Sequence, residues 1–162
     1  MEGRMREGSA SKDRGNVARV FALLLGAGYV VAGVAGFVAT GFGAGFTADT
    51  NVSLLGFDLN NFHNVVHVAI GGALILVSRL SDVTITQGVL IGVGLFYVLA
   101  TLLGFLNYGA LQIISINDPL AADNFLHLFS GATALIFGLI GVRQQNQSLR
   151  KAGAPAGTYA GR

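Results

Sequence analysis

The chain contains no cysteine. Disulfide scaffolds, thiolate-ligated zinc and thiol chemistry are therefore excluded. It contains no tryptophan and only 2 prolines, so interfacial aromatic anchors, where present, must be Tyr or Phe. Charged residues make up 11% of the 162 residues, against about 25% in an ordinary soluble domain. That shortage argues against a soluble enzyme. It argues equally against a disordered chain, which needs low hydrophobicity and high net charge. No G-x-x-x-x-G-K-[ST] motif is present to cradle phosphate, and no Ser stands beside a fixed general base. What is abundant is apolar: 52% of residues are hydrophobic, and 24 glycines are dispersed without a collagen period.

The apolar residues gather into four runs, which predict helices at about 17–42, 62–79, 86–106 and 124–143. A spanning helix needs about 20 mainly apolar residues. The cores of these runs hold no charge and show no polar stripe, so the solvent they face is lipid rather than water. The expected fold class is all-α: a four-helix transmembrane bundle over residues 17–143, with flexible tails at 1–16 and 144–162. The first run is longer than the 7–15-residue apolar core of a cleavable signal and follows a polar segment, so it is expected to remain as a span.

The charges predict the orientation. Every Lys and Arg lies in the N-terminal segment (Arg4, Arg6, Lys12, Arg14, Arg19), at Arg79 between the second and third runs, or after the fourth run (Arg143, Arg150, Lys151, Arg162). The two remaining connections carry only acidic charge, at Asp49, Asp58, Asp118 and Asp123. By the positive-inside rule both termini are cytoplasmic and the acidic connections lie outside, which suits a bacterial plasma membrane. The expected partners are the lipid bilayer and, through stripes such as Gly28-Ala32-Gly36 and Ser130-Ala134-Gly138, neighbouring helices of the same chain or a second copy. The basic residues are read as topology signals and lipid-headgroup contacts, not as a nucleic-acid surface.

The chain also reads as duplicated. One offset lays Gly26, Tyr29 and Gly36 on Gly94, Tyr97 and Gly104; another lays Asn64, His67 and Gly71 on Asn124, His127 and Gly131. Each half is then an outward helix and a returning helix, giving two tandem, like-oriented hairpins. Tyr29 and Tyr97 are expected to pack at equivalent places, their hydroxyls seeking a partner such as Thr101 or a helix carbonyl.

Only the histidines hint at chemistry. His63 and His67 lie one turn apart on one helix face, and Asp123 and His127 repeat that spacing. Three readings follow. In the first, these are structural groups at helix entries. Asn60, Asn61 and Asp123 are N-cap types, and His67 and His127 pin loop carbonyls. The function is then that of a non-enzymatic accessory or self-associating membrane subunit without a cofactor. In the second, His63, His67, Asp123 and His127 form a divalent metal site. In the third, His67 and His127 are axial ligands of a b-type haem.

The F-H-N-x-x-H-x-x-x-G opening at Phe62 and the A-D-N-x-L-H-L-x-x-G opening at Ala122, with the Gly-rich first run, resemble a family of small four-span bacterial membrane proteins. That family is common in actinobacteria and catalogued as a domain of unknown function. The resemblance covers about 17–143; it implies four membrane helices and no particular activity.

Overall fold

A computed structural model describes residues 15–42, 52–116 and 118–153. Four long helices dominate: α1 (Val17–Thr40), α2 (Asn61–Ser78), α3 (Val83–Phe105) and α4 (Ala122–Lys151). All four are long and apolar enough to cross a membrane. A two-stranded hairpin, β1 (Val52–Leu54) and β2 (Phe57–Leu59), precedes α2, and a 3-10 turn at Gly109–Ile114 precedes α4.

Each helix start has a local cause. Asn16 caps α1 by accepting from Ala18 N, Asn60 caps α2 by accepting from His63 N, and Asp82 caps α3 by accepting from Thr84 N. The fourth helix starts differently. Its N-cap is Ala121, with no side-chain bond. The tight turn before it is held instead by Asp118, whose carboxylate accepts from Leu120 N at 2.6 Å.

Side-chain contacts give the helix directions. Asn16 Nδ2, at the start of α1, donates to the Gly141 carbonyl late in α4 at 3.0 Å. Arg19 donates to the carbonyls of Ser78, Leu80 and Ser81, binding the end of α2 and the turn after it. At the opposite end, Thr40 Oγ1 donates to Asn61 Oδ1 at 2.6 Å, joining the end of α1 to the start of α2. The helices therefore alternate up and down.

The closest helix contacts lie within the pairs α1–α2 and α3–α4, and glycine makes both possible. A methyl at Gly26 would stand 2.7 Å from the Gly71 carbonyl oxygen, and one at Gly94 2.9 Å from that of Gly131. Without side chains there, backbones meet directly, the form of association that works in lipid. Higher up, Asn64 packs its amide on Gly36, and Asn124 packs its amide on Gly104. The interior between the pairs is filled by Ala18, Ala22, Leu74, Leu90 and Ala134, with Phe21 stacked on Phe137 at 4.3 Å.

The outside is more apolar than a water-facing surface tolerates. Val31, Val38, Leu76 and Phe129 are each at least 65% exposed, on three helices. Large continuous apolar surface of this kind marks a membrane-facing protein. The polar groups are buried instead: Asn60, Asn64, Asn124, Thr86 and Thr101 are at most 1% exposed.

Three expectations need correction. The fourth helix does not end at 143 but continues to Lys151. Gln144, Gln145 and Gln147 carry no apolar signal, yet they are good helix formers, and no helix breaker intervenes before Gly153. Gln144 Oε1 also accepts from Val17 N, at 3.0 Å. Residues 144–151 therefore belong to the bundle rather than to a tail. The third helix begins at Val83 instead of 86, where Asp82 caps it. Among the small-residue stripes, Ser130, Ala134 and Gly138 are buried, whereas Gly28 and Ala32 face outward and only Gly36 packs inside. The expected tail segments 1–14 and 154–162, together with Asp49, lie outside the described residues.

Candidate metal centre

The three histidines converge. His63 and His67 lie in the first turns of α2, and His127 in the first turns of α4. Asn60 sets the start of α2, and the Asp118 turn sets the start of α4, so their entries bring the imidazoles to one depth. His63 Nε2 stands 3.1 Å from His67 Nε2. One ligand nitrogen from each of His63, His67 and His127 lies within 4.8 Å of the others. All three residues are buried, at 1%, 6% and 2% exposure.

The fourth expected residue joins them. Asp123 is 2% exposed, and its Oδ1 lies 3.8 Å from His63 Nε2. It does not cap α4, contrary to the N-cap expectation; it turns its carboxylate into the bundle. Asp58 lies within electrostatic range of it from the hairpin before α2. Of the Asn residues expected as caps, Asn60 fills that role, while Asn61 pairs with Thr40.

The expected pinning of loop carbonyls by His67 and His127 is not made. Among the described residues, neither the His67 ring nor the His127 ring bonds to a loop carbonyl. The backbone of Asp58 interacts with the His63 ring, but His63 Nδ1 closes no hydrogen bond of normal geometry, and neither does His127 Nδ1. Unsatisfied buried groups are rare and call for an explanation, such as a bound ion or water.

Two tyrosines complete the site, and their role was only half visible in the sequence. Tyr29 packs on His67 at 5.3 Å and Tyr97 on His127 at 4.8 Å. The two phenol rings stack on each other at 5.4 Å, bridging the two helix pairs. The Tyr29 hydroxyl lies within reach of Ser130 and Tyr97. Neither tyrosine hydroxyl closes a hydrogen bond of normal geometry. Thr101, the expected partner, donates instead to the Tyr97 carbonyl at 2.9 Å.

The donor set and spacing suit a small cation. Imidazole is a ligand for Zn, Cu, Fe and Ni. With metal–nitrogen bonds of about 2.0–2.1 Å, tetrahedral ligands stand roughly 3.3 Å apart. The His63–His67 pair is already at that spacing, and His127 is within a small side-chain movement of it.

A family model described as a domain of unknown function, DUF4383, matches residues 19–140. The chain belongs to the DUF4383 family. The match spans α1 to α3 and most of α4, including every histidine. No curated protein and no solved structure matches the chain. Membership in DUF4383 brings a family without an assigned activity, so any functional reading rests on the geometry of the site.

Proposed function

We propose that this DUF4383 protein is a multi-pass protein of a bacterial plasma membrane that holds one divalent transition-metal ion on His63, His67 and His127, in a binding or sensing role rather than an enzymatic one. The observation that carries the reading is the meeting of three buried ring nitrogens from two helices. Chance burial of histidine ordinarily ends in a hydrogen bond to a carbonyl or hydroxyl. Here His127 Nδ1 closes no hydrogen bond of normal geometry, and the Nε2 atoms of His63 and His67 face each other at 3.1 Å. Asp123 supplies a negative charge beside the cluster, its Oδ1 3.8 Å from His63 Nε2.

The bare ion is favoured over a haem on His67 and His127. Those rings are perpendicular, with centroids 6.5 Å apart. A porphyrin between them would have to share its space with His63 and with the tyrosines stacked on the same two rings.

Charge supports an orientation with both termini in the cytosol. The histidine cluster then lies near the outer face, where a cation arriving from outside meets the exposed Asp58 first. Equivalent contacts in the two halves support two like-oriented hairpins: Gly26–Gly71 with Gly94–Gly131, Asn64–Gly36 with Asn124–Gly104, and Tyr29–His67 with Tyr97–His127. In this reading the metal site is the seam at which the halves join.

The test is elemental analysis of the full chain, purified in detergent after equilibration with Zn²⁺ and removal of excess metal. One zinc per chain is expected in the wild type and none in His67→Ala. A wild type that retains no Zn²⁺, Cu²⁺ or Ni²⁺ overturns the proposal.

A further inference from the structure

The histidine cluster has a second side, away from Asp123. A cavity of about 290 Å³ opens there, and His63, His67 and His127 all form part of its wall. The remainder is apolar and rich in rings. Phe62 and Val66 come from α2, Phe96 and Ala100 from α3, and Leu111 and Ile113 from the 3-10 turn above. Asn60 holds that turn in place by donating to the Ile113 carbonyl at 2.9 Å. Phe96 and Ile113 are 55% and 52% exposed. The rim is therefore apolar, and at Phe96, on the membrane-crossing helix α3, it faces lipid. The Tyr97 ring lines the same space, and its buried hydroxyl closes no hydrogen bond of normal geometry.

Structural metal sites are closed by four protein ligands, whereas sites that exchange a ligand keep one position open. Three imidazoles beside a cavity fit the second description. Water is a poor occupant, because the apolar wall offers it few partners. A ligand for this space needs an apolar, ring-shaped body to lie among Phe62, Phe96 and Tyr97, one donor atom to reach the ion, and a route through the membrane.

Resting on the metal reading above, we propose that the ion turns its open coordination position into this cavity and there takes a lipid-soluble phenol, the chemical class of a quinol head group, with the phenolic oxygen on the metal. The ring stacks among the aromatic walls, and any tail leaves past Phe96 and Ile113 into the bilayer. Binding needs no redox step: the phenol gives up its hydroxyl proton to the medium, and the resulting oxygen anion offsets part of the ion's charge.

The experiment uses the full chain in phosphatidylcholine nanodiscs, loaded with one equivalent of Cu²⁺ and titrated with 4-hexylphenol. The expected result is a saturable phenolate-to-copper charge-transfer band in the visible spectrum. Ala100→Phe fills the cavity and Ile113→Trp narrows its exposed mouth. Each should weaken the apparent affinity by about tenfold or more while copper content stays at one per chain. Two variants are needed because a buried substitution at Ala100 can disturb folding, whereas one at the exposed Ile113 should not. Full copper loading with no band overturns this inference and leaves the metal site standing. A band of undiminished affinity in Ile113→Trp also overturns it, since the phenol would then arrive by another route. Failure of the wild type to hold copper, zinc or nickel defeats the metal reading and this inference together.

Discussion

Asp123 Oδ1 lies 3.8 Å from His63 Nε2, although the two residues enter the bundle on different helices. The contact joins the two halves of the chain and places a carboxylate beside three imidazoles. Replacing Asp123 by Asn keeps the shape and removes the charge. A partner that orients or charges a metal site typically contributes 10–100-fold in affinity. Asp123→Asn should therefore weaken Zn²⁺ binding by about that factor, with one ion per chain still bound at saturation. Competition against a chromophoric chelator measures it.

The capping and metal roles separate cleanly at neighbouring positions. Asn60 accepts from His63 N at 2.7 Å and is the cap of α2. Asn60→Ala should lower stability by about 1 kcal/mol and leave the zinc content at one. His67→Ala should abolish zinc binding while α2 stays capped. Thermal unfolding by circular dichroism, run beside metal analysis on both variants, reads the two effects independently.

Gly36 and Gly104 should tolerate no side chain. A methyl at either would collide with the buried Asn64 or Asn124 amide, whose nitrogen is already committed to other partners. Gly36→Ala and Gly104→Ala should each cost about 1–3 kcal/mol through overpacking. Gly28 faces open space, so Gly28→Ala should fall within about 0.5 kcal/mol of the wild type. Thermal melts of the three variants in one detergent give the comparison.

The cysteine-free chain allows a direct topology measurement. Ser53 lies in the hairpin before α2, and Ser148 in the last turns of α4. In intact cells, a membrane-impermeant maleimide should label Ser53→Cys readily and Ser148→Cys only after permeabilisation. The opposite pattern would invert the proposed orientation and put the histidine cluster on the cytosolic side.

The parts of this structure that were legible in the sequence are those governed by composition and helical period. Long apolar runs without internal charge placed all four helices, because lipid demands such runs and little else produces them. The matching spacing of His63–His67 and Asp123–His127 marked the candidate site for the same reason: one-turn spacing puts side chains on one face. The close approach of α1 to α2 and of α3 to α4 could not be read this way, since it depends on Gly71 and Gly131 admitting neighbouring backbones to contact. The end of α4 was hidden because Gln144–Ser148 lacks apolar residues while keeping helix propensity. The hairpin escaped notice because its strands are three residues each and its turn places Leu55 as well as Gly56 at positive φ. Leu55 is a residue no turn rule would select there. Asp123 was misread as a cap because a carboxylate near a helix start usually is one. Only the Asp118 turn, which sets Ala121 as the cap, frees it to point inward.

The central claim is that His63, His67 and His127 share one ion. X-ray absorption at the zinc K-edge of the loaded, full-length protein in nanodiscs tests it most directly. The expected first shell contains three nitrogens at about 2.0–2.1 Å, with the outer-shell scattering of imidazole rings, and His127→Ala should remove one of those rings from the shell. A first shell of oxygen alone, or imidazole scattering unchanged in His127→Ala, would contradict the claim.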